Sequence, residues 1–246
     1  MSGSEPRPDE PVGGVRDLHF FWVVDYSGSM SGKKIATVNS AIRDVLPEIR
    51  KAVAANYQIR CLMRAIRFSD DAEWHVGPQE VPVEQFAWPD LTTLGGTATA
   101  KAIRLLASEL TTDKLRRRGV PPVCILVSDG FCTDAEGEYD EAIKSLVALP
   151  WGKQAVRLSL GIGEAEADYD EQELLKFVSH REIGVLKARN PAELIKHIKW
   201  ASLSAVKSIV GGKSKMAENG GIAHVSLPLP PPDEPSLSDA SEGFEL

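Results

Sequence analysis

Two stretches of the chain, Leu18 to Val24 (LHFFWVV) and Val123 to Val127 (VCILV), are nearly continuous apolar runs rich in β-branched and aromatic residues. Such runs mark strands buried on both faces. After the first run, apolar positions recur at Ile35, Val38, Ile42, Val45, Leu46, Ile49 and Val53. That spacing predicts an amphipathic helix over 33–53, bent or broken at Pro47. Tyr57 to Phe68 alternates, with Ile59, Cys61, Met63 and Ala65 on one side, which predicts a strand. Glu73 to Val76 reads as a short piece paired with it, and 77–94, with Pro78, Pro82 and Pro89, reads as irregular. Gly95-Gly96-Thr97 then leads into a helix with Ala100, Ile103, Leu106, Ala107 and Leu110 on its apolar face. Further on, the pattern predicts a helix over 139–149, a strand over 155–162, a helix over 169–178 and a short strand over 184–188. A last helix starts at Pro191, a residue suited to a first turn, and runs to about Ile209 on Leu194, Ile198, Ala201 and Ala205.

Strands alternating with helices predict an α/β fold: a doubly wound, mostly parallel open sheet with helices on both faces. The pattern places this domain at 18–209, after a disordered N-terminal arm at 1–17 and before an acidic, Pro-rich disordered tail at 210–246. Open sheets of this kind bind ligands at the carboxyl ends of their strands. Two polar motifs, one after Val24 and one after Val127, fall at such ends.

Composition narrows the function. Apolar residues make up 43% and charged residues 26%, as in a soluble globular protein. No apolar run approaches the roughly 20 residues of a membrane helix. The polar start shows no secretory leader, and three cysteines are too few for a disulfide framework, so a reduced, cytoplasmic protein is the expectation. All 28 Lys and Arg lie at or before Lys215, whereas six of the 35 acids follow it. The body therefore carries −1 and the last 31 residues −6. A nearly neutral body argues against nucleic acid as the main partner. The basic knot at Lys114, Arg116, Arg117 and Arg118 reads as a solvated helix end before Gly119. The tail reads either as a solubilising segment or as a docking peptide built on Leu237, Phe244 and Leu246, and its acids could also serve the molecule's own site.

The chemistry concentrates in Asp25-Tyr26-Ser27-Gly28-Ser29, in Thr97 after two glycines, and in Ser128-Asp129-Gly130. Asp25, Ser27, Ser29, Thr97 and Asp129 form an all-oxygen set, which suits hard cations such as Mg²⁺ and not thiolate-seeking metals. A phosphate loop fits poorly, because only three residues separate Gly28 from Gly32 and Lys34 stands where a hydroxyl is needed. An aspartyl nucleophile in the D-x-D arrangement would want an acid where Ser27 stands. Asp25 and Ser27 as mere helix caps would leave Ser29, Thr97 and Asp129 unexplained.

These segments, D-x-S-x-S, G-G-T-x-T-A and S-D-G, resemble the metal-ion-dependent adhesion site of von Willebrand factor A domains, in the same order along the chain. Val24 to Gly32 and the Lys199-Trp200-Ala201-Ser202-Leu203-Ser204 stretch further resemble TerY-like tellurite-resistance proteins. Tyr26 departs from the Thr or Ser common at its position, which is not a ligand position. The resemblance implies that Ser27, Ser29 and Thr97 contact Mg²⁺ directly, with Mn²⁺ or Ca²⁺ as substitutes, and that Asp25 and Asp129 act mainly through water. A cation ringed by neutral oxygens attracts a partner's Asp or Glu carboxylate. The implied function is metal-mediated protein–protein interaction, a scaffold or regulator in a stress response alongside a protein phosphatase and a protein kinase.

The competing class is a metal-dependent phosphatase or hydrolase using Asp25 and Asp129. No histidine among His19, His75, His180, His197 and His224 is tied by spacing to these aspartates. Cys132 falls near the expected metal rim, whereas Cys61 and Cys124 fall on strands and read as small buried apolar residues. Tyr26, Met30, Ser128, Phe131 and Leu91 to Leu94 are expected to surround the ion and supply contact area.

Overall fold

A computed structural model of the chain describes residues 14–115, 119–163, 165–211, 214–215 and 224–231. Six strands form one sheet: β1 (Arg16–Asp25), β2 (Ile59–Phe68), β3 (Ala72–Pro82), β4 (Val123–Ser128), β5 (Val156–Ile162) and β6 (Leu186–Ala188). Their order is β3-β2-β1-β4-β5-β6, all neighbours pairing parallel except β2 with β3. The helices are α1 (Lys33–Ala54), α2 (Thr99–Glu109), α3 (Glu138–Ala148), the short α4 (Pro150–Gln154), α5 (Glu171–Phe177) and α6 (Pro191–Val210). This is the doubly wound, mostly parallel α/β arrangement that the pattern predicts.

The apolar run of β1 explains the two layers. Leu18, Phe20, Trp22 and Val24 face a cluster built with α1 and α6, while Phe21 and Val23 face one built with α2, α3 and α5. Successive side chains point to opposite faces, so a strand at the centre of the sheet must be apolar throughout. β1 starts at Arg16, inside the segment expected to be an arm, because Asp17 is held by Arg60 Nε at 2.8 Å. The rest of that arm, 1–13, lies outside the described residues.

Three expectations change. Of the bend or break expected at Pro47, no break occurs: α1 runs through it, since nine of its residues are buried and the lost N–H is one bond among many. β2 is buried on both faces rather than alternating, because its polar position Arg64 is neutralised in place. Arg64 donates to Glu109 Oε2 at 2.6 Å, and its guanidinium lies over the Phe21 ring at 4.6 Å. β3 continues to Pro82 as an antiparallel edge strand with a shift in register near Ala65, where an irregular loop is expected from Gly77 onward.

Beyond β3 the chain is held by side chains rather than by a ladder. Asn39 of α1 is buried, donates to Leu91 O, and accepts from Trp88 Nε1 and Leu91 N. Arg50 donates to the carbonyls of Val83 and Phe86. The end of the chain differs from the disordered tail expected over 210–246. Ser214–Lys215 (β7) pairs with His224–Val225 (β8), Val225 is 2% exposed, and its carbonyl accepts from His180 Nε2 at 2.7 Å. Leu227 packs against the same cluster as α6, so burial of these two side chains ties this piece to the body. Arg116, Arg117, Arg118 and residues 232–246 lie outside the described residues. No helix among the described residues is long and apolar enough to cross a membrane.

The Arg64–Glu109 pair yields a stability prediction. Replacing Glu109 by Leu leaves Arg64 buried without its main counter-charge and is expected to cost about 3–5 kcal/mol. Arg64→Met costs less, because Lys114 Nζ still lies 2.6 Å from Glu109 Oε1. The double variant recovers much of the loss. Urea denaturation of the three variants checks the order.

Candidate metal centre

Parallel pairing of β1 with β4 sets Val24 against Val127, so Asp25 and Ser128 end their strands side by side. Ser128 Oγ donates to Asp25 Oδ2 at 2.6 Å and the Ser27 amide donates to Asp25 Oδ1 at 2.8 Å. Ser27 Oγ in turn lies 3.0 Å from Ser29 Oγ. Ser27 is buried and Ser29 exposed, so this line of oxygens runs from the interior to the surface. Neither the short 3₁₀ turn Gly28–Met30 nor α1 is capped by a side chain, and α1 begins after Gly32. A capping role for Ser27 is thus excluded, which leaves its hydroxyl available to another ligand.

Asp25 and Asp129 are both fully buried. Burial pushes the Asp25 carboxyl up to about 6, against the hydrogen bonds from Ser128 and Ser27, and the neighbouring Asp129 adds to the rise. Asp129 Oδ1 receives the Phe131 amide at 3.4 Å, whereas Oδ2 is buried with no hydrogen-bond donor. Lys34 Nζ approaches that oxygen to 3.8 Å, close enough for attraction and too far for a hydrogen bond. Two buried carboxylates with this little compensation form a site short of positive charge.

Thr97 reaches the same edge through its backbone. Gly28 N donates to Gly95 O at 3.0 Å, and Leu94 N donates to Tyr26 O at 2.8 Å, which lashes the 94–97 loop to the Asp25 loop. On the other side Thr133 clamps Thr97 twice: its amide donates to Thr97 O, and its Oγ1 accepts from Thr97 N. Asp134 Oδ2 accepts from Ala100 N at 2.7 Å and so orients the start of α2. Asp70 Oδ1 accepts from Gly96 N at 2.8 Å. The structure thus gathers the segments of all five proposed ligands at one edge. Lys34, Ser128, Thr133 and Asp70 support them, and no periodicity or spacing singled those four out for these contacts.

The expected rim is smaller than the sequence suggests. Met30 and Leu91 are buried, Ser128 is spent on Asp25, and the Tyr26 ring lies under the Arg67 guanidinium at 5.2 Å. Leu94 and Phe131, at 66% and 45% exposure, remain as apolar side chains beside the site. Cys132 is held as a thiol, since burial and the Asp134 carboxylate, 2.6 Å from Sγ, push it up to about 11. Among the described histidines, His75 bonds the Pro89 carbonyl, and His180 bonds Val225.

The donor chemistry fits a hard divalent cation. Among the described residues no group of three or more His, Cys, Asp or Glu is placed to hold a metal ion, and the donors at this edge are a mixed set of hydroxyls and carboxylates. The stranded Asp129 Oδ2 is the atom that such an ion would compensate.

With fold and site in view, comparison with known proteins assigns the family. The profile of the von Willebrand factor type A domain matches residues 20–194, and the chain belongs to that family. Among solved structures, it resembles the ArnB paralog VWA2 from Sulfolobus acidocaldarius, with 20% identity and a TM-score of 0.54 over 80% of this chain and 46% of that one. It also resembles a von Willebrand factor type A protein from Catenulispora acidiphila, with 17% identity and a TM-score of 0.56 over 78% of this chain and 43% of the other. A third neighbour is proximal thread matrix protein 1 of the mussel byssus, whose structure has a zinc-occupied MIDAS motif. It shares 15% identity and a TM-score of 0.55 over 80% of this chain and 47% of that one. The chain spans less than half the length of each of these three. A search of curated proteins finds none that matches it.

Gly95 carries a consequence for this site. Its φ of +70° is in the left-handed region, and a Cβ there would collide with the Asp70 carboxylate. Gly95→Ala is expected to destabilise the chain by about 1–2 kcal/mol through backbone strain and the displaced carboxylate. Thermal denaturation checks this.

Proposed function

We propose that the chain is a Mg²⁺-dependent protein-interaction module with a metal-ion-dependent adhesion site. Ser27, Ser29 and Thr97 hold the cation directly, and Asp25 and Asp129 hold it mainly through water. Bound there, the ion supplies an open coordination position for an Asp or Glu carboxylate of a partner protein. The observation that carries this reading is the fully buried Asp129 Oδ2 without a donor, at the edge where the Ser27 and Ser29 hydroxyls lie 3.0 Å apart. The zinc-occupied MIDAS of the mussel thread protein supports a divalent ion, with Mn²⁺ and Ca²⁺ as substitutes for Mg²⁺. Exposed Leu94 and Phe131 offer the apolar contact area that a docked partner buries.

Resemblance to TerY-like proteins supports the finer reading: a cytoplasmic scaffold or regulator in a stress response, acting with a protein phosphatase and a protein kinase. The hydrolase reading, with Asp25 and Asp129 as catalytic carboxylates, is less well supported. Catalysis by a bound cation wants a poised base, and the thiol nearest to the site, Cys132, is held protonated.

Cation binding is tested on the purified full-length chain by thermal unfolding. Mg²⁺ at about 100 times its dissociation constant should stabilise by roughly 2.7 kcal/mol, about 5–10 °C for a chain of this size. Ser29→Ala and Asp129→Asn should each abolish most of that shift while folding normally in chelator. A chain whose melting temperature ignores Mg²⁺, Mn²⁺ and Ca²⁺ alike has no such site. Partner capture that survives chelation would refute the metal-mediated mode of binding.

A further inference from the structure

Lys34 stands in the first turn of α1, a position that disfavours a cation. The amino end of this 22-residue helix carries the positive pole of its dipole, and the first turn holds no acid. Yet Lys34 Nζ reaches to 3.8 Å from Asp129 Oδ2, the buried oxygen without a hydrogen-bond donor. Among the described residues, Asp129 is the only carboxylate at ion-pair distance from this ammonium. Asp25 has no cation at that distance among them, so one ammonium serves two carboxylates that are both fully buried.

At 3.8 Å the pair attracts without a hydrogen bond. The Asp129 side chain is 1% exposed and that of Lys34 is 27% exposed. The carboxylate is therefore fixed in the interior, and the ammonium is the partner able to move. Lys34 also lines a cleft of about 390 Å³, counting its open mouth, together with Lys33, Thr37 and Asn190. That cleft receives the side chain when a second cation arrives at Asp129. Attraction scales with charge and falls with distance, so a divalent ion on Oδ2 outcompetes an ammonium held at this range. A monovalent ion has no such advantage in charge.

We propose that Lys34 is a tethered counter-cation of the metal centre, compensating Asp129 until a divalent ion displaces it towards the cleft. It thereby lowers the affinity of the site for divalent ions and discriminates against monovalent ones. This role rests on the Mg²⁺ centre proposed above and adds to it a residue that is not a ligand. Without metal, Lys34 lessens the cost of keeping Asp129 buried and charged. With metal, its positive charge repels the ion that takes over the carboxylate. Removing that charge should thus weaken the chelated chain and tighten metal binding, two changes of opposite sign. Lys33 precedes it on the same turn, lines the same cleft, and serves as the control.

Calorimetric titration of the purified full-length chain with Mg²⁺ alone tests this role. Lys34→Met and Lys34→Gln should bind Mg²⁺ roughly tenfold more tightly than the wild type. Lys34→Arg, which keeps the charge, and Lys33→Met should stay within about twofold of the wild type. Repulsion scales with the charge of the ion, so the gain should grow from roughly tenfold for Mg²⁺ to roughly 30-fold for La³⁺. In chelator, Lys34→Met should melt about 3 °C below Lys33→Met, and saturating Mg²⁺ should close that gap. A wild type that binds Mg²⁺ while both neutral Lys34 variants bind it no more tightly overturns the role of Lys34 and leaves the metal centre standing. An equal gain in Lys33→Met, or the same gain for Mg²⁺ and La³⁺, also overturns it, since either reports something other than one displaced ammonium. If neither the wild type nor the Lys34 variants bind Mg²⁺, Mn²⁺ or Ca²⁺, the metal centre itself fails, and this role fails with it.

Discussion

The middle of this sheet ends in two carboxylates that have been taken out of water. Asp25 ends β1 and Asp129 follows the neighbouring β4, and both are fully buried. Burying a carboxylate is costly unless hydrogen bonds or an opposite charge compensate it. Asp25 is met by Ser128 and the Ser27 amide, yet it is still pushed up to about 6. Asp129 has one oxygen with no donor and a lysine held at 3.8 Å. The surrounding loops are organised around this shortage of positive charge, and a hard cation is the simplest means of relieving it.

A rigid support keeps the shortage from collapsing. β1 is clamped between β2 and β4 and packed on both faces, so Asp25 cannot swing outward without disturbing the core. The 94–97 loop is tied to the Asp25 loop on one side and to Thr133 on the other. Asn39 and Arg50 fix the long connection that leads there. Side chains with no role in holding an ion therefore determine where Thr97 stands. This is the arrangement expected of a site built on strand ends and positioned by a second layer of hydrogen bonds.

Lys34 lies 3.8 Å from Asp129 and also lines a cleft shared with Lys33 and Arg189. A nearly neutral body with a tail of −6 has its charge separated along the chain. Val225 is buried and Leu227 packs beside it against the α6 layer.

Much of this is legible in the sequence. Apolar runs marked β1 and β4 because a central parallel strand has no solvent face, and helical periodicity marked α1, α2 and α6 because each packs one side on the sheet. The oxygen donors stood out because small hydroxyl and carboxylate residues at strand ends have few other uses. Less visible was whatever depends on partners remote in sequence. Arg64 reads as a solvent position until Glu109, 45 residues away, neutralises it. Met30 and Tyr26 read as rim residues until packing buries them. Lys34, Thr133 and Asp70 carry no local signal, because their roles are set by distances across loops. Local periodicity is a property of the chain itself, so the sequence by itself determined the fold class, and it singled out the hydroxyl and carboxylate residues that are candidates for the site. Which charges are left uncompensated and which apolar groups stay exposed were decided only by tertiary structure, since each depends on desolvation by residues far apart in the chain.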